Sequence, residues 1–360
     1  MVALDLDITL PRTLDGARKS AVRAERLGFD GAWSREQGSD AFLVLAAAAL
    51  DTARLTLGTN VAVAFGRSPY STAVASWQLQ AATNGRLVLG LGSQVKSHVM
   101  HRYSAQFAPA GPRLREYLLA VRAVWGAFQT GRIEFHGTYY SFESNVFTPY
   151  FRPEEQPTPP LPLPLIMLAA VGQYNCRTVG LHADGIMLHP LHTVRQLQTQ
   201  TIVEVGEGLR ESGRDRSAVK YVCPVLTAIG RDDAELAAAR QRVRGMIAFY
   251  GATRTYARVL EAAGRPDLPL ALHEANAARD LDGATNLVDD ELLDEVAISG
   301  YPYEVGRRMV ERYAGVVDRV YVSNPESSPC LREEATLTEL IRGFRDAQAA
   351  APSGIHRQSP

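Results

Sequence analysis

Two segments of the chain concentrate side chains that hold or move protons. The first, Arg35-Glu36-Gln37-Gly38-Ser39-Asp40, sets a carboxylate between a guanidinium and an amide. The second runs Ser93-Gln94-Val95-Lys96-Ser97-His98 and continues through His101, Arg102 and Tyr103. Carboxylate and imidazole groups titrate near neutral pH when a cleft perturbs them. Glu36 and His98 are therefore candidates for acid–base work, with Gln37 and Tyr103 beside them for substrate. Each has a plainer reading. Glu36 either serves a site or caps a loop and pairs with Arg35. His98 and His101, three apart, share one helix face. Two imidazoles without an obvious carboxylate partner usually pack or hydrogen-bond, so no metal is expected.

Three further segments suit a ligand. Asn60-Val61 closes a β-branched run. Val171-Gly172-Gln173 brings a glycine, which permits close backbone approach, to the start of a helical stretch. Helix N-termini present N–H groups to anions. His189 and His192 flank a loop. They either touch such an anion or serve structure. Ser93 and Gln94 either contact a ligand or cap the following helix.

These segments share one position: each ends a short apolar run. The runs are Leu4 to Leu10, Gly31 to Ser34, Arg54 to Ala64, Arg86 to Gly92, Leu163 to Ala170, Gly185 to Leu188, Tyr221 to Ile229 and Arg319 to Ser323. Helical patterns alternate with them. Gly28 ends the helix from Asp15 to Leu27, Asp40 caps Ala41 to Leu50, and Ser68-Pro69 starts the next, which Asn84-Gly85 stops. Leu114, Tyr117, Leu118, Val121, Val124, Trp125 and Phe128 keep helical spacing up to Gly131. Eight strands in a βα rhythm predict an α/β chain folded as a (β/α)8 TIM barrel, whose sites lie at the carboxyl ends of the strands. One domain spans 1–350. Two insertions break the rhythm, at about 131–162, rich in aromatics and prolines, and at about 251–300. The tail, 351–360, is expected to be disordered.

Bulk properties narrow the partners. A net charge of -1 argues against nucleic acid and anionic membranes. No apolar stretch approaches the length of a membrane span, and the amino terminus has no signal-peptide pattern. The three isolated cysteines suit a reducing cytoplasm. Apolar residues in two helices (Phe42, Leu43, Val44 and Leu45; Val74, Trp77 and Leu79) exceed one face and suggest a homodimer.

Taken together, several motifs resemble the luciferase-like family of flavin- and deazaflavin-dependent oxidoreductases. They are Gly28-Phe29-Asp30-Gly31-Ala32-Trp33 with an acid after it, Leu57-Gly58-Thr59-Asn60-Val61 with Arg67-Ser68-Pro69, Gly85 to Ser93, and Ala183-Asp184-Gly185-Ile186. Val63-Ala64-Phe65, Gly92-Ser93-Gln94 and Ala248-Phe249-Tyr250-Gly251 are similar to the branch that uses coenzyme F420. The resemblance implies a cofactor ring across the barrel mouth and a non-prolyl cis peptide at Asn60–Val61 supporting it from behind. It implies that Asn60, Val61, Ser93 and Gln94 face the ring, and that Val171, Gly172 and Gln173, with His189 and His192, serve the cofactor phosphate. The chain departs from the sugar-phosphate dehydrogenases of the family, which have His where Gln37 stands and Glu near Gln94-Val95.

The reading that follows is an F420-dependent oxidoreductase moving a hydride to or from a small organic substrate, with Glu36, Gln37, His98 and Tyr103 handling substrate and proton. One alternative is an FMNH2-dependent monooxygenase, with FMN as cofactor. Another is a barrel that binds flavin without catalysis.

Overall fold

The computed structural model describes residues 4–144 and 161–350. Its strands are β1 Asp5–Thr9, β2 Gly31–Ser34, β3 Thr56–Thr59, β4 Ala62–Val63, β5 Leu87–Gly92, β6 Ile133–His136, β7 Ser141–Ser144, β8 Leu165–Ala169, β9 Gly185–Met187, β10 Lys220–Ile229, β11 Ala297–Gly300 and β12 Arg319–Val322. Eight of these form a closed parallel barrel in the order β12-β1-β2-β3-β5-β8-β9-β10, with β10 pairing back onto β12. The (β/α)8 architecture expected from the alternating runs is thus present.

Local chemistry explains the elements. Asp40 Oδ1 accepts from the Phe42 and Leu43 N–H groups and starts the helix Ala41–Ala49. Ser68 Oγ accepts from Ser71 N, with Pro69 next in line, and starts Pro69–Ala82. Gly28 and Gly131 end their helices in left-handed conformation, at φ 92° and 75°.

Inside the barrel lie Trp33, Val88, Met167, Met187, Val222 and Tyr321. Trp33 is fully buried, and its ring occupies the space a side chain at Gly58 would need. A Cβ there would stand 2.2 Å from the indole. Asp7 accepts from Trp33 Nε1 at 2.9 Å and from two nitrogens of Arg319. An ion pair therefore closes the interior beneath the aromatic layer.

Two stretches differ from the expectations. The run 54–64 is not one strand. It breaks after Thr59, where the Asn60–Val61 peptide is cis, and resumes as β4. Thr59 Oγ1 donates to the Gly90 carbonyl at 2.7 Å and accepts from its N–H at 2.9 Å, carrying the ladder across the break. The insertion at 251–300 is helical as far as Val296, then forms β11, which pairs with the outer half of β10. β10 is ten residues long, so its outer half extends past β12 and takes a separate partner.

The insertion at 131–162 begins as the antiparallel hairpin β6–β7. Its turn is fastened by Glu116, which accepts from the N–H groups of Thr138, Tyr139 and Tyr140. Tyr140 meets Tyr117 edge-on and accepts from Arg113 Nε, while Phe135 and Phe142 pack on the core. These aromatics fasten the hairpin to the helix Ala110–Thr130. Phe147, most of the proline run and the tail 351–360 lie outside the described residues.

The apolar residues assigned to a dimer face are mostly internal. Phe42, Val44, Leu45 and Leu79 are buried and Leu43 is exposed, because the helices use more than one face against the barrel and each other. Among the described residues, no helix is long and apolar enough to cross a membrane.

Candidate functional site

Strand alternation carries Arg35, Asn60, Gly92, Ala169 and His189 to the carboxyl-terminal rim of the barrel, in register above Trp33, Gly58, Gly90, Met167 and Met187. Asn60 Nδ2 donates to the Tyr321 hydroxyl at 2.9 Å. Val61 leans over the end of β5, where glycine makes room. A Cβ on Gly92 would come within 2.5 Å of Val61 Cγ2. Ser93 is half-buried beside them. Arg35 donates to the Ser323 carbonyl and to Glu326. Its Nε is buried and has no acceptor among the described residues.

An aromatic wall faces this floor. His189 stacks on Tyr256 at 3.9 Å between ring centres and 19° between planes, and meets Tyr250 edge-on. Tyr250 stands in the last turn of the helix Asp233–Gly251, and Tyr256 follows in the next turn. Burial among these rings pushes the His189 pKa down to about 3. The ring is therefore neutral at neutral pH. Its Nδ1 accepts from Leu191 N at 3.1 Å, which assigns the proton to Nε2.

Glu36 is not a free acid. Its Oε2 accepts from Val63 N at 2.8 Å, its Oε1 binds Arg67, and the side chain is 7% exposed. Arg67 also grips Asp40. Tyr103 joins this group, with its ring against Gly66. Burial and then the Glu36 charge raise its pKa, so its hydroxyl stays protonated. Through these bonds Glu36 ties β2 to the segment after the cis peptide. Gln37 is exposed beyond the group. His98 sits apart, on the helix Lys96–His101. Its Nδ1 pairs with Gln94 Oε1 at 3.1 Å, and its Nε2 lies 3.5 Å from Arg102. Gln94 is held in left-handed conformation, at φ 61°.

The helix Gln173–His182 begins at Gly172, which is exposed, with open space where a Cβ would stand. The Val171 carbonyl accepts from Arg258 at 2.7 Å, and Arg258 is paired with Glu204. That pair braces the turn from behind and leaves the Gly172–Gln173 side facing outward.

His192 does not belong to this site. It is 2% exposed. Its Nδ1 donates to the His189 carbonyl at 2.8 Å, and its Nε2 pairs with the Tyr313 hydroxyl at 2.9 Å beside Cys223. Both nitrogens are thus used and the ring is sealed, which is the structural reading of His192. Burial lowers its pKa to about 4. The unfolded chain, near 6.5, takes the proton first as pH falls. Its contribution is complete above that value and is lost toward pH 4. At pH 5 the loss amounts to about 2 kcal/mol. Urea unfolding at pH 7 and pH 5 should show a smaller acid loss in His192→Asn than in the parent. Equal losses would refute this.

The family model for luciferase-like monooxygenases matches residues 3–319. The chain belongs to that family. It is 42% identical over 318 residues to an uncharacterized protein, Rv1360, of Mycobacterium tuberculosis, covering 88% of this chain and 92% of the relative. It is 28% identical over 330 residues to Rv3520c of the same organism, provisionally named a coenzyme F420-dependent oxidoreductase, covering 87% and 92% of the two chains. Its fold is similar to that of a coenzyme F420-dependent tetrahydromethanopterin reductase from Methanopyrus kandleri, with a TM-score of 0.72, 19% identity, and 95% and 97% of the chains covered.

Within this luciferase-like barrel, the rim residues Arg35, Tyr250, Tyr256 and Tyr321 were not among the sequence candidates. Arg35 stands one residue before Glu36. Tyr321 lies inside the last strand, where only its inward parity marks it. Tyr250 belongs to a motif used above for resemblance alone. Tyr256 carried no sequence signal.

Proposed function

We propose that the chain is an F420-dependent oxidoreductase that moves a hydride between the deazaflavin and a small organic substrate. The observation that carries this reading is the shape of the rim. A flat floor of Val61 over Gly92 faces the uncharged wall of His189, Tyr250 and Tyr256, and the outward Gly172 helix start lies on the same rim. An elongated planar cofactor with a phosphate at one end fits those groups. The name of the relative Rv3520c and the sequence motifs favour F420. FMN, which has a similar tricyclic ring and a phosphate, is the alternative, and the family's description as monooxygenases supports it.

Asn60, Val61, Ser93 and Gln94 would hold the ring, and Val171, Gly172 and Gln173 the phosphate. A bound deazaflavin supplies two-electron hydride exchange at carbon and reacts poorly with oxygen. The protein supplies orientation, water exclusion and proton handling. His189, neutral with its proton on Nε2, donates to an oxygen without adding charge. Tyr103, held protonated beside Glu36, keeps a second proton on the β2 side, and His98 stands on the β5 side. Glu36 acts through Val63 and Arg67 as a positioning residue.

Titration with oxidised F420 and with FMN, followed by fluorescence, tests the cofactor. F420 is expected to bind at least tenfold more tightly. FMN binding with no detectable F420 binding, together with oxygen uptake on FMNH2, would establish the alternative.

A further inference from the structure

A second opening lies between the barrel and its helical jacket. β1 and β12 stop pairing at Asp7 and Tyr321. Above that point Thr9 Oγ1 bridges them by donating to the Val322 carbonyl at 3.1 Å. The cleft between the splayed ends has a volume of about 240 Å³. Phe29, Leu331, Leu337 and Leu340 give it an apolar wall.

Its charges are unbalanced. Of the acids lining it, Asp7 is bound by Arg319 and Glu326 by Arg35. Arg23 and Arg332 also line it. Arg23 Nη1 donates to the Arg332 carbonyl at 2.9 Å, which holds the two residues together. Glu334, which feels the charge of Arg23, is itself taken by Arg26. Among the described residues no carboxylate pairs with Arg23 or Arg332, so two arginines border an apolar cleft without an ion-pair partner there. Guanidinium groups recognise carboxylates through paired N–H donors.

We propose that this cleft binds a small apolar carboxylate, with its acid group on Arg23 and Arg332 and its chain against Phe29, Leu337 and Leu340. Arg35 Nε, buried and without an acceptor among the described residues, donates to any second oxygen at the inner end. The proposal does not depend on which cofactor the barrel mouth takes.

Calorimetry on the full chain with sodium octanoate as probe and 1-octanol as its neutral counterpart tests it. Octanoate is expected to bind at least tenfold more tightly than octanol, since the alcohol offers one neutral acceptor where the carboxylate offers two oxygens and a charge. The double variant Arg23→Ala/Arg332→Ala should weaken octanoate at least tenfold. Arg332→Glu, an exposed change that leaves packing intact, should do the same without altering thermal unfolding. No binding heat at millimolar octanoate, equal affinity for octanol, or indifference to Arg332→Glu would each overturn the proposal.

Discussion

Replacing Arg319 with methionine is expected to remove about 3–5 kcal/mol of folding stability. Asp7 is fully buried, and Arg319 donates to it through Nε and Nη2 at 2.8 and 2.7 Å while also binding Asp5. Methionine fills much of the volume but leaves the Asp7 carboxylate with Trp33 Nε1 as its remaining side-chain donor. Asp5, whose pKa is already raised by burial, loses the charge that opposes that rise. The double variant Asp7→Asn/Arg319→Met should recover a large part of the loss, because the uncompensated charge is gone. Urea unfolding of the two single variants and the double measures both effects. A loss below about 1 kcal/mol in Arg319→Met would show that the pair contributes little.

Glu36→Ala is expected to cut turnover on the order of a hundredfold, and Glu36→Gln less than tenfold. The alanine variant frees Val63 N and one side of Arg67, so the segment after Asn60–Val61 loses its tie to β2. Misplacement of a substrate-facing segment by about an ångström costs rates of that order. Glutamine keeps an acceptor for Val63 N. The pH profile separates positioning from proton transfer. Both variants should keep the parent's profile shape, whereas a Glu36 that itself moved the proton would lose as much in Glu36→Gln as in Glu36→Ala, and a limb of the profile with it.

The barrel was legible because its signals are local and repeated. Apolar runs of strand length, Asp40 and Ser68 as caps, and Gly28 and Gly131 as stops each specify structure within a few residues. The cis peptide was legible only through family resemblance, since no spacing of residue types encodes it. β11 was hidden because Ala297–Gly300 follows Val296 with no intervening turn residues, and its existence depends on the length of β10, far away in sequence. Site residues divided in the same way. The placement of Glu36, Asn60, Val61 and Gly172 near strand ends followed from the elements that precede them. Their partners did not. His192 looked like a ligand contact because a histidine in a loop is ambiguous until Tyr313 and Cys223 arrive from distant strands and helices to enclose it. Arg35 looked like a simple partner of its neighbour, while its guanidinium in fact turns toward Ser323 and Glu326.

β10 and β11 lie side by side, with Ile229 opposite Gly300. Everything from residue 230 to 296 therefore leaves the barrel and returns to it at nearly one point. This excursion gathers its own apolar centre, in which Val243, Ile247, Leu260, Leu272 and Leu293 meet Leu226 and Ala228 of β10. It also brings Tyr250 and Tyr256 to the mouth. A segment hinged at adjacent attachment points, with an interior of its own, can lengthen, shorten or change its contents while the eight barrel strands stay in place. In evolutionary terms it is an exchangeable cassette, a part of the molecule that can change with little cost to the barrel.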